Sequence, residues 1–227
     1  MATISKSNFD FLKKLKKNNN REWFNANKEE YLKQHQNTID FADALLAELS
    51  KHDHIETPTG KKSLFRIYRD VRFSKDKSPY KTHWAGGFRR ATRELRGGYY
   101  FHIEPGNTML GGGFWSPNKE DLQRIREDIA ADDSELRKIL NSKPFKETFG
   151  ELEGEQLKTC PKGFDKEHPA VDLLRYKQFI ISKKFTDEEV LSDDFVIKVN
   201  EVFKKMRPFF DYMSVAVTTD ANGVSIF

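Results

Sequence analysis

A single cysteine, eight prolines and thirteen glycines in 227 residues remove several classes of protein at once. One thiol, Cys160, closes no intrachain disulfide and builds no zinc cluster without other ligands. The Gly and Pro content is too low for a collagenous or low-complexity chain. No window approaches the roughly 20 apolar residues that a bilayer crossing requires. Met1 to Lys17 is polar and lysine-rich, without an apolar core or a small-residue cleavage site. No signal peptide is expected from such a stretch, so the expectation is a cytoplasmic protein with no membrane partner.

Nucleotide and nucleophile motifs are also missing. There is no Gly-x-Ser-x-Gly elbow, no phosphate-binding loop ending in Gly-Lys-Ser/Thr and no Gly-x-Gly-x-x-Gly. Gly111-Gly112-Gly113 lacks the strand-to-helix context of a dinucleotide fold, and no cofactor is named by any residue pattern. What is present is aromatic: nineteen Phe, seven Tyr and three Trp supply more buriable surface than a disordered chain carries. The net charge of +4 is unevenly spread. Residues 1–60 hold nine bases and nine acids, residues 61–96 twelve bases and three acids, and residues 97–227 eighteen bases and twenty-three acids. One 36-residue stretch therefore carries the whole positive excess. Clustered cations repel one another unless an acidic partner or a ligand neutralises them.

Hydrophobic spacing predicts helices first. Phe9, Leu12 and Leu15 recur at helical intervals, and Asn19 with Glu22 has capping-box spacing for a second helical stretch. That stretch runs on to about His52, whole or broken at the polar patch Gln34 to Asn37. The middle of the chain changes period. Phe65, Ile67, Val71 and Phe73 alternate with polar residues and read as a strand over about 64–73, and a second is expected at about 82–88. Tyr99 to Phe114 reads as a hairpin around Pro105-Gly106-Asn107, with Gly111 to Gly113 marking a bulge or a close approach by another backbone or a ligand. Helix returns after the hairpin, with Ser116 as cap and Pro117 at the first position. A short strand at Phe179 to Ser182, a capping box at Thr186 and Glu189, and an amphipathic closing helix from Phe195 to Phe210 complete the pattern. The expected fold is α+β, a central antiparallel sheet packed by N-terminal and C-terminal helices. No linker or repeat divides the chain, so one domain, 1–227, is expected.

The chemistry concentrates in Arg66 to Lys81. On a strand, Arg66, Asp70 and Arg72 share a face, while Arg69 lies on the apolar side and needs a carboxylate partner or a pocket. Asp70, between two arginines, is a fixed acceptor able to orient a guanidinium fork toward a bidentate anion. Lys77, Tyr80 and Lys81 add donors across a turn stiffened by Pro79. Arg66, Arg69, Arg72, Lys77, Tyr80 and Lys81 are therefore the candidate ligand-binding residues. Asp70, His102 and Glu104 are the candidate proton-handling ones. His102 and Glu104, two apart on a strand, point to one face, and His83 with Trp84 is expected on a neighbouring strand. Such a face suits a metal or an acid–base pair, but His83, His102 and Glu104 lack zinc-ligand spacing, and no metal is assigned.

The run from Phe65 to Lys81 resembles the signature of a widespread, mostly bacterial family of about this length, catalogued only as a conserved domain of unknown function. Asn19-Asn20-Arg21-Glu22-Trp23-Phe24, Tyr99 to Gly106, His168-Pro169 and Asp172-Leu173-Leu174-Arg175 extend the resemblance over nearly the whole chain. It implies one domain with a site at the central motif and implies no activity. The leading expectation is a pocket for a small molecule carrying phosphate or carboxylate, with or without catalysis. Two alternatives stay open: a nucleic-acid binding module, in which bases alternate with Tyr68, Phe73, Tyr80, Trp84 and Phe88, and a non-enzymatic interaction domain whose motif is a structural ion-pair network.

Overall fold

The computed structural model describes residues 2–220 and 223–227. In chain order the elements are α1 (Lys6–Lys17), α2 (Arg21–Ala26), α3 (Lys28–Leu49), α4 (Gly60–Ser63), β1 (Trp84–Arg89), β2 (Gly98–Ile103) and β3 (Thr108–Phe114), then α5 (Lys119–Ala131), α6 (Ser134–Leu140), α7 (Lys143–Phe149), α8 (Val171–Leu174), β4 (Phe179–Phe185), α9 (Asp187–Val190) and α10 (Phe195–Thr218). The four strands form one antiparallel sheet in the order β1-β2-β3-β4, so the fold is α+β with flanking helices. The chain falls into two compact units, each built from three separate stretches: Met1–Phe88, Tyr100–Leu110 and Lys184–Glu201 in one, Arg89–Tyr99, Gly111–Lys183 and Val202–Phe227 in the other.

In the first unit, Ser5 caps α1 by accepting a hydrogen bond from the Asn8 amide, and Phe9, Phe11, Leu12 and Leu15 form its buried face. Asn8 is itself buried and fully engaged. Its amide donates to the Gln34 carbonyl (3.0 Å) and the Thr38 hydroxyl (3.1 Å), and its oxygen accepts from the Trp84 indole at 2.6 Å. A buried amide without such partners would be costly, so Asn8 fixes where β1 begins. The expected cap at Asn19 moves one residue on, because Asn20 accepts from the Trp23 amide. Asn19 instead reaches 61 residues along the chain, donating to the Tyr80 carbonyl at 2.9 Å and accepting from the Tyr80 amide at 3.1 Å. The expected break near Gln34 falls at Asn27, where the side chain turns back to the Trp23 carbonyl. Phe101 of β2 packs at ring distances of 5.9 and 5.8 Å from Phe41 and Phe88, and Phe41 stacks on Phe195 at 5.5 Å.

In the second unit, Tyr99 packs on Phe203 and Phe210 of α10. The Arg90 side chain is fully buried, donating to Asp211 at 2.5 Å and to the Arg96 carbonyl at 3.2 Å. Gly113 has φ +123°, and a Cβ there would lie 2.1 Å from the Phe179 carbonyl oxygen, so the close approach read from the glycine run is present. The cap of α5 is Asn118 rather than Ser116, and the capping box at Thr186 and Glu189 is formed.

One strand expectation is corrected. Residues 64–73 join the structure through isolated bridges, Leu64 with Gly86 and Tyr68 with Tyr80, and form no continuous strand. The turn at Ser74 to Pro79 folds the segment back on itself, with the Arg69 amide donating to the Pro79 carbonyl (2.9 Å) and the Lys81 amide to the Ile67 carbonyl (2.8 Å).

Candidate functional site

The motif is a wide loop, and its charges have different fates. Arg69 donates to Asp76 at 2.5 Å and to the Ser78 carbonyl at 3.0 Å. The Ser78 hydroxyl and amide, followed by Arg69, hold the Asp76 carboxyl down at about 2. Arg72 turns its fork onto Asp70, with Nε at 3.0 Å and the terminal nitrogen at 2.7 Å. The Arg72 bonds keep Asp70 below the ordinary carboxylate range. Lys77 caps the Val71 carbonyl at 3.0 Å. Tyr80 is buried and stacks on Phe24 at 3.9 Å. Four of the six candidate ligand residues, together with Asp70, are thus occupied in closing or anchoring the loop.

Arg66 and Lys81 differ. The Lys81 ammonium donates to the Arg66 carbonyl at 2.9 Å and lies 5.7 Å from the centre of the Phe65 ring, which stacks on Tyr100 at 6.3 Å. Burial and then the Arg66 charge pull the Lys81 pKa down. Among the described residues neither cation closes on a carboxylate.

Beside them stands the polar face of β2. Along Tyr99 to Ile103 burial alternates, with Tyr99, Phe101 and Ile103 inward and Tyr100 and His102 half-buried on the other side, joined by Glu104 just past the strand end. The Tyr100 hydroxyl lies 3.2 Å from His102 Nδ1, and His102 Nε2 lies 3.1 Å from Glu104 Oε2. Asn107 donates to the same carboxylate oxygen at 3.2 Å, while Thr82 (3.4 Å) and the Lys16 ammonium (3.6 Å) approach Oε1. Burial raises the Glu104 carboxyl, but the bonds from Asn107 and His102 and the charge of Lys16 outweigh it, leaving a lowered pKa.

His83, one residue before β1, stacks its ring 4.1 Å from that of His102. Burial, the charge of His102 and the charge of Lys81 bring its pKa down to about 4 despite the opposing pull of Glu104. Tyr80 and Trp84, held by Asn19 and Asn8, bracket His83 in sequence and fix its backbone. The pairing of His102 with Glu104 on one face and the neighbouring place of His83 were readable from spacing. Lys16, Asn107 and Tyr100 were not, because their roles depend on tertiary contacts.

Chemically, His83, His102 and Glu104 offer one ligand atom each, all within 4.8 Å of one another. The same atoms make either a cation site or a carboxylate-oriented imidazole.

Residues 7–212 match the family described as Conserved hypothetical protein (DUF2461). The chain belongs to that family. No curated protein and no solved structure gives a match. Among the described residues no helix is long and apolar enough to cross a membrane.

Proposed function

We propose that the protein binds a small ligand carrying a phosphate or carboxylate, at the face formed by Arg66, Lys81, Tyr100, His102 and Glu104. One contrast carries this reading. Within a single motif Arg69 and Arg72 are neutralised by Asp76 and Asp70, whereas among the described residues Arg66 and Lys81 close no ion pair, Asp70 reaching Arg66 only through space. Two adjacent cations kept in that arrangement are unfavourable alone and favourable around an anion. Phe65 and Tyr100 supply an apolar wall, and His102 with Glu104 supplies hydrogen-bonding groups of fixed orientation. The reading narrows the anion-binding set from six residues to two and assigns Arg69, Arg72 and Lys77 to holding the loop.

Titration with inorganic phosphate, followed by thermal shift and calorimetry, tests it, with sugar phosphates, nucleotides and dicarboxylates as further probes. Binding is expected in the wild type and in Arg72→Ala, and is expected to be lost in the Arg66→Ala/Lys81→Ala double variant. No stabilisation of the wild type by any of these anions would overturn the proposal.

Nucleic-acid binding is a second reading with an observation of its own. Tyr68 is half-exposed and Phe73 is 97% exposed, with the Arg72 guanidinium 5.9 Å from the Phe73 ring, an arrangement suited to stacking on a base. Tyr80, Trp84 and Phe88 are buried and leave that reading fewer platforms. Salt-sensitive binding of single-stranded oligonucleotides that disappears in Phe73→Ala would favour it over the small ligand.

A further inference from the structure

We infer that His83, His102 and Glu104 bind a divalent first-row transition-metal ion. The inference rests on the reading above only for what the ion would act on, since Lys81 lies within electrostatic reach of His83. The ion site itself stands on its own geometry.

The three ligand atoms lie within 4.8 Å of one another. Bonds of about 2.0–2.2 Å to a shared tetrahedral ion place ligand atoms roughly 3.3 Å apart, so the set has to draw in by at most about 1.5 Å to share an ion. His102 and Glu104 project from the same side of β2 and its end, and His83 enters β1, the neighbouring strand of the sheet. Only His102 lies on a strand, with His83 and Glu104 next to strand ends, so the sheet holds one ligand directly and the other two through their neighbours.

His102 and Glu104 carry outer contacts of the kind a metal site uses. A ligating imidazole usually gives its other ring nitrogen to a fixed partner. Here the Tyr100 hydroxyl lies 3.2 Å from His102 Nδ1, and Nε2 is the atom turned to Glu104. The carboxylate is steadied by Asn107, Thr82 and Lys16. The His102 and Glu104 side chains are 13% and 15% exposed, recessed yet reachable, which leaves coordination positions for water or an anion.

The donor set selects the class of ion. Two imidazoles and one carboxylate suit zinc, iron, cobalt or nickel, whereas calcium and magnesium prefer oxygen ligands throughout. Spacing puts His102 and Glu104 on one face with His83 on the neighbouring strand, and the sheet brings the His83 ring within 4.1 Å of the His102 ring.

Titration of the chelator-treated full chain with Co²⁺, read by visible ligand-field absorption, is the test. The expected result is one ion per chain, displaced by Zn²⁺, and paramagnetically shifted resonances from two imidazole rings. His83→Gln and His102→Gln are each expected to weaken binding by at least about tenfold, and Tyr100→Phe to weaken it while keeping the stoichiometry. Melting of each variant without metal reports whether it folds, and the imidazole resonances of the wild type identify the ligands independently of any variant. No saturable Co²⁺ binding, or binding unchanged in the His83→Gln/His102→Gln double variant, would overturn the inference. Phosphate titration of the metal-free chain separates the two readings. Phosphate binding without metal binding removes only the ion, and metal binding without phosphate binding removes only the anion site.

Discussion

Arg66 and Arg69 stand three positions apart in one motif, the first exposed and the second half-buried, and differ in what reaches them. The alternating pattern leaves Arg69 either a carboxylate partner or a pocket, and the carboxylate is what it finds. Its source was not legible in the sequence: Asp76 arrives because the Ser74 to Pro79 turn folds the loop back, bringing the carboxylate within 2.5 Å. Asp70 does not hold a fork out toward a ligand but takes the Arg72 fork itself. These differences predict different mutants. Arg66→Ala is expected to abolish phosphate binding and leave the melting temperature unchanged or slightly higher, since it relieves repulsion with Lys81. Arg69→Ala is expected to loosen the loop, seen as broadened amide resonances from residues 69 to 79. The pH dependence of the loop follows from Asp76. Its folded pKa of about 2 lies below the ordinary 3.8, so its stabilising effect is fully present above the ordinary value and disappears as pH falls through the folded one. Loop resonances should therefore hold their positions from neutral pH to about 4 and shift toward random-coil values on approach to 2. A loop already disordered at pH 4 would contradict the Asp76 contacts.

At the scale of elements, what was legible was what is periodic. The alternation of β2, the apolar stripe of α10 and the capping box at Thr186 all follow from local pattern, and each is found. The alternation from Phe65 to Phe73 misled because its apolar positions are not a core face: Ile67 is buried, while Phe65 is half-exposed and Phe73 fully so. A strand pattern without a surface to cover does not make a strand. The β2 pattern succeeds because Phe101 meets Phe41 and Phe88. Phe101→Ala is accordingly expected to cost about 3 to 5 kcal/mol in denaturant unfolding, and a cost below 1 kcal/mol would show that β2 does not seat the core. Gly113→Ala tests the β3 to β4 approach. With φ at +123° and the Phe179 carbonyl oxygen 2.1 Å from the new Cβ, both backbone strain and collision oppose the change. A loss of more than about 2 kcal/mol or failure to fold is expected.

At the scale of the whole molecule, the charge split by segment points to the same stretch as the proposed site, since the excess of nine positive charges in residues 61–96 contains Arg66 and Lys81. What it left hidden was the division into two units, because each is assembled from three separate stretches and no composition shift marks a boundary. His83, His102, Glu104, Arg66 and Lys81 all belong to the unit made of Met1–Phe88, Tyr100–Leu110 and Lys184–Glu201, which gives binding a spatial signature. A ligand that binds only the folded site adds about 2.7 kcal/mol when free at a hundredfold its Kd. For a chain of this size each kcal/mol raises Tm by roughly 2 to 4 °C, so saturating phosphate or Co²⁺ should give a shift well outside error. Native-state hydrogen exchange then locates the effect. Amides that exchange through partial opening should slow in those three stretches, most of all along β2 and at the start of β1, because the site's side chains tie these segments to the ligand. Slowing confined to the other unit would place the ligand elsewhere and exclude the Arg66 and His102 face as its seat.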